Sequence, residues 1–272
     1  MPVQFDLLTC STSVGDLHGI FSSPPGGSDR LAVHIHGTWG NFYANPFIVP
    51  LAEMYNAKGW SFLSANFPGH DETAIAERFE DFQPALEAWL HLVPQRSLIL
   101  QGHSLGALKI LSAASSPKWS SLGVIGAVLL SPFDVAHFYE AHTHMSRSEL
   151  RDYALRHGRD QGIDTPLPRS VFDLWPISAA VIEAVTEEGS KWDAFPSARG
   201  DVSSLSALGI PALLAIGSED FASSPDPAEV VRLTGDKAGV SASLVPGAPH
   251  NFAGAVPELV TLVERWLTGL TY

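Results

Sequence analysis

Apolar residues fall along this chain in short runs separated by longer amphipathic stretches. The runs Leu31–Ile35, Ser61–Ala65, Ser97–Gln101, Val124–Leu130, Pro211–Ile216 and Ser241–Val245 are strand-sized, and most are bounded by Gly, Pro or Asn. They lack strict polar alternation, so they suit strands covered on both faces. Val3–Leu8 and Leu17–Phe21 flank a Ser/Gly turn and predict an opening hairpin. Between the runs, apolar residues recur at helical spacing. Phe47, Leu51, Met54 and Tyr55 form one stripe. Phe79, Phe82, Leu86, Trp89 and Val93 form another, with Pro84 expected to kink it or to mark its start. Ser104–Ala114, Ala228–Leu233 and Pro257–Leu267 complete the helices. Strand alternating with helix predicts an α/β fold: a mostly parallel central sheet of about eight strands flanked by helices.

Phe133–Gly200 breaks the rhythm. It follows the sixth strand, has few strand-like runs, and is far longer than an ordinary connection. It reads as an inserted helical cap, residues 133–200, within one domain spanning 1–272.

Composition narrows the function. The chain has 272 residues, 45% hydrophobic and 17% charged, with one cysteine, Cys10. That suits a folded domain and excludes a disulfide scaffold. A net charge of -13 argues against a nucleic-acid or anionic-lipid surface, leaving a small-molecule or acyl substrate as the expected partner. No run approaches the ~20 apolar residues of a membrane span, and no secretion signal is read in Met1–Ser13, so the cytoplasm is the expected location.

The most informative stretch is a strand, then Gly102-His103-Ser104-Leu105-Gly106, then a helix. A tight strand-to-helix turn forces its central serine into strained backbone, and flanking glycines remove the Cβ atoms that would collide. The helix starting there aims its free N–H groups at the site. A serine hydroxyl needs a base. Among 11 histidines, His250 stands in a loop between the last strand and the last helix. The base in turn needs a carboxylate, and Asp220 closes the preceding strand, with Glu219 pointing elsewhere and Asp134 as the other end-of-strand acid. Acyl chemistry also needs donors for an oxyanion. The Leu105 N–H is one. In His36-Gly37-Thr38-Trp39-Gly40, the Thr38 N–H is the expected second, with the Trp39 N–H as alternative.

His36-Gly37, the Gly102–Gly106 turn, Gly217–Asp220 and Pro249-His250 resemble the α/β-hydrolase superfamily in order and spacing, across residues 31–267. The resemblance implies Ser104 as nucleophile, Asp220 as acid and His250 as base, with a cap inserted before the strand that carries the acid. It says little about substrate.

Other residues carry weaker signals. His137, His142 and His144 cluster in the cap and His34 pairs with His36, but neither group has metal-ligand spacing, so no metal or cofactor is expected. His36 is expected to brace the oxyanion loop, His103 to pack away from Ser104, and Asn66–Asp71, including His70, to form a structural turn or else shape the pocket rim. Phe138, Phe172, Trp175 and Trp192 are expected to pack the cap or line an apolar pocket. Arg147, Arg151, Arg156, Arg159 and Arg169 form a solvated face or recognise a substrate carboxylate. Three functions remain open: a serine hydrolase of esters, thioesters or amides; a lyase or epimerase using the same serine and histidine; and a ligand-binding protein on the same scaffold.

Overall fold

The computed structural model describes residues 3–13, 15–38, 40–69, 78–93, 95–172, 177–235 and 237–270. The chain opens with β1 (Asp6–Thr12) and β2 (Gly15–Ser22), then β3 (Arg30–Ile35), α1 (Ile48–Ala57), β4 (Ser61–Ala65) and α2 (Phe79–Leu92). It continues through β5 (Ser97–His103), α3 (Leu105–Ala114) and β6 (Val124–Leu130). After β6 come α4 (Val135–Thr143), α5 (Arg147–Gln161), α6 (Ala179–Thr186) and the short α7 (Ser204–Ala207). The order closes with β7 (Ala212–Gly217), α8 (Pro227–Gly235), β8 (Val240–Val245) and α9 (Val256–Gly269).

Among the described residues the strands form one sheet, β1-β2-β4-β3-β5-β6-β7-β8. β1–β2 and β2–β4 are antiparallel; from β4 through β8 every pair is parallel. Successive side chains alternate between the faces, as the two-residue period of a strand requires. Leu31, Val33 and Ile35 enter one apolar core with α2, α3 and α8. Ala32, Ile99 and Val128 enter the other with α1 and α9. Both faces are covered, which explains the unbroken apolar runs.

Two elements differ from expectation. The first strand begins later and runs to Thr12 because cross-strand partners hold its polar residues: Thr9 meets His18, and Ser11 donates to Asp16 at 2.7 Å. α2 passes through Pro84, and its buried Phe79, Phe82, Leu86 and Trp89 anchor the helix on both sides of the missing hydrogen bond.

The strand order reverses between β3 and β5, so chain leaving these neighbours departs to opposite faces and opens a crevice at their carboxyl ends. The loops after β3, β5, β7 and β8 all emerge at that edge. Among the described residues, no helix is long and apolar enough to cross a membrane.

Candidate active site

β5 ends in the turn that carries Ser104. The serine has φ 56° and ψ -123°, a region that costs a non-glycine residue about 1–3 kcal/mol. Its N–H is fixed to Leu130 O at 2.8 Å and its carbonyl to Ala107 N–H at 3.0 Å. The flanking glycines permit this because a Cβ on Gly106 would lie 2.2 Å from Ile35 O, and one on Gly102 2.4 Å from Gly106. α3 begins at the next residue, so the Leu105 N–H belongs to a first turn that has no intrahelical acceptor.

His250 Nε2 lies 2.9 Å from Ser104 Oγ, and its Nδ1 lies 2.8 Å from Asp220 Oδ1. A carboxylate only accepts, so Nδ1 donates and Nε2 presents its lone pair to the serine hydroxyl. Burial alone would raise the Asp220 pKa. The His250 hydrogen bond and charge, with help from Ser131 and the Ala222 N–H, outweigh that and hold the carboxyl below its ordinary value. The loops carrying Asp220 and His250 are joined by backbone: Ser218 N–H donates to Val245 O and Glu219 N–H to Ala248 O, each at 3.0 Å. Glu219 leaves its side chain in solvent. Asp134 turns away from His250. Its carboxylate caps α4 through His137 N–H at 3.0 Å and accepts from Ala198 N–H at 3.3 Å, and burial raises its pKa.

The loop after β3 is shaped by His36. The Phe67 N–H donates to His36 Nε2 at 3.1 Å, so Nδ1 carries the proton and donates to Gly37 O at 2.8 Å. Gly40 N–H donates to the same carbonyl at 3.0 Å. In a trans peptide the following N–H points opposite to the carbonyl. Tying Gly37 O therefore turns the Thr38 N–H away from His36. Gly37 itself packs against Ser104, since an added Cβ would sit 2.7 Å from Ser104 Cβ. Trp39, the alternative donor, lies outside the described residues, as do His70, Asp71 and Trp175. Asn66 belongs to the same support, accepting from Phe42 N–H at 3.0 Å.

His103 is buried, but it is more than packing. Its Nε2 donates to the backbone carbonyl of His250 at 2.9 Å, and its ring lies 5.1 Å from the His250 ring. Burial, then the neighbouring His250, lower its pKa to about 3, so it is neutral here. Sequence reasoning missed this tie because the bond spans 147 positions and ends on a backbone atom, which no motif records.

Arg147 does not face this site. Its guanidinium donates to Thr186 O at 3.0 Å, Val185 O at 3.3 Å and Asp193 at 3.2 Å. Trp192 packs at a tilt against Phe79 at 4.6 Å, and Phe172 packs edge-on to Tyr139 and tilted against Tyr153. Phe138, by contrast, lines a cavity of about 280 Å³ beside Ser104, together with Thr38, Phe133, Phe221 and His250. Among the described residues no group of three His, Cys, Asp or Glu is placed to hold a metal ion.

No protein-family model matches the chain, and no curated protein matches its sequence. Solved structures do match. Est1E from Butyrivibrio proteoclasticus is 17% identical with a TM-score of 0.65, over 96% of this chain and 97% of that one. The siderophore hydrolase EstB from Aspergillus fumigatus is 15% identical with a TM-score of 0.72, over 97% of each chain. Alpha/beta hydrolase domain-containing protein 10 from mouse is 14% identical with a TM-score of 0.66, over 98% of this chain and 100% of that one.

Proposed function

We propose that this chain, which has the α/β-hydrolase fold, is a serine hydrolase that cleaves a small-molecule carboxylic ester through an acyl-enzyme. One observation carries the reading: an unbroken hydrogen-bonded chain from Ser104 through His250 to Asp220, at 2.9 and 2.8 Å. His250 takes the Ser104 proton as Oγ attacks the ester carbonyl. The oxyanion that forms is held by the Thr38 and Leu105 N–H groups, each such donor contributing about 3 kcal/mol of transition-state stabilisation. His250 then gives its proton to the departing alcohol. Water, deprotonated by the same imidazole, attacks the acyl-serine and releases the acid. Asp220 stays ionised and stabilises the imidazolium. EstB is by name a siderophore hydrolase, which favours hydrolysis over the lyase and binding-protein alternatives. We assign the helices α4–α6 to a cap over the crevice.

The test is rapid-quench mass spectrometry with p-nitrophenyl acetate. The expected result is a burst of p-nitrophenol with a transient acetyl adduct on Ser104. Steady hydrolysis with no burst and no adduct under conditions that stabilise acyl-enzymes, or no hydrolysis of any short ester, contradicts it.

A further inference from the structure

We infer that the cavity beside Ser104 selects uncharged esters bearing a compact aromatic or apolar group, through a wall built from Phe133, Phe138 and Phe221. The chemistry of this inference rests on the hydrolase reading; the binding preference does not.

The wall is continuous. Phe133 and Phe138 meet edge to face at 5.6 Å and 82°, and Phe138 meets Phe221 at 6.1 Å. The wall runs onto the base itself, with Phe133 5.9 Å and Phe221 5.4 Å from the His250 ring. Phe133 and Phe138 are 6% and 9% exposed, whereas Phe221, next to Asp220, is 67% exposed. A single exposed phenylalanine is ordinary. This one borders a cavity that two other rings already line, so a bound apolar group would cover it and gain its desolvation.

Charge excludes the alternative substrate. All 16 Lys and Arg side chains lie among the described residues, and none lines this cavity. His103, which does line it, is neutral. An anionic group entering here would lose its hydration with no counter-charge, inside a chain of net charge -13. Arg147, which the sequence offered as a carboxylate reader, is occupied by Asp193.

Volume sets the size. A cavity of ~150 Å³ holds one benzene ring. The 280 Å³ here is just under twice that, enough for a ring with a short arm and the ester. A long acyl chain would leave most of its carbons in water.

The experiment compares ethyl 3-phenylpropanoate, ethyl acetate and monoethyl succinate by proton release. kcat/KM for the phenylpropanoate is expected to exceed that for the succinate half-ester by roughly 100-fold. Phe138→Ala and Phe221→Ala each lower it about tenfold, through KM, and lower kcat/KM for ethyl acetate by a smaller factor. In Ser104→Ala, calorimetry should show ethyl 3-phenylpropanoate binding and monoethyl succinate not binding. That pattern without hydrolysis in the wild type would sink the hydrolase reading and leave the selectivity standing. Equal turnover and binding of neutral and anionic esters, or an equal loss on all three substrates in both Phe variants, overturns the selectivity.

Discussion

The turn at residues 102–106 and the segment between β6 and β7 leave the same edge of the sheet, yet they are held differently. The turn is fixed by backbone sterics: Gly106 packs against Ile35 O where a Cβ would lie 2.2 Å away, and Ser104 keeps φ 56° because two backbone hydrogen bonds leave it no alternative. The segment is fixed by side-chain pairing. Arg147 and Arg199 both hold Asp193, Asp134 caps α4, and Ser146 with Glu149 forms a capping box at α5. Steric contact admits almost no substitution, whereas ion pairs and caps can be exchanged for others of similar strength. Changes at the turn should therefore strike chemistry, and changes in the segment should strike stability.

Perturbations at five residues sharpen that contrast, in falling order of effect. Ser104→Ala should lower kcat by about 10⁶-fold and Asp220→Ala by about 10⁴-fold, with the double variant no worse than Ser104→Ala alone. Steady-state kinetics on a short ester checks this, and additive losses would mean the groups do not act as a unit. Gly37→Ala places a methyl 2.7 Å from Ser104 Cβ and displaces the loop after β3. A drop of about 10²–10³ in kcat is expected, with little change in the urea midpoint.

His103→Phe removes the donor to the His250 carbonyl, and kcat should fall about tenfold while His103→Gln recovers part of the loss. The same residue predicts a pH effect. In the folded chain His103 has its pKa lowered to about 3 from an ordinary 6.5. The unfolded chain therefore binds more protons between those values. Stability is full above pH 6.5 and declines as pH falls towards 3, by up to about 1.4 kcal/mol per unit. Urea unfolding from pH 7 to 4 should show a shallower decline in His103→Gln. An unchanged slope would mean that His34, whose pKa burial also lowers, accounts for it. Arg147→Ala should cost about 1–3 kcal/mol of stability and change kcat by less than threefold. A large loss of kcat at constant stability would break the contrast.

The same distinction explains what could be read from the chain. The alternation of strands and helices along the chain, the glycine-flanked serine turn, and the place of Asp220 at a strand end follow from local rules of spacing and glycine placement, whereas the order of strands in the sheet does not. The His36 tautomer and the His103 tie depend on bonds to backbone atoms far away in sequence, and local pattern is silent on them. Within the segment between β6 and β7, the grouping of arginines was legible, but their partners were not. Arg147 meets Asp193 across 46 positions, and only the packing of α5 against α6 brings them together. The cavity wall was half visible: Phe138 stood out by its aromatic neighbours, while Phe221 was hidden behind the acid beside it.

The central claim is that Ser104 is a nucleophile activated by His250. Treating the folded protein with a fluorophosphonate and mapping the adduct by mass spectrometry tests it most directly. One equivalent of label on Ser104, absent in Ser104→Ala and slowed at least about 10³-fold in His250→Ala, is the predicted result. An unlabelled Ser104 in folded protein, or labelling that proceeds at the same rate without the imidazole, would contradict it.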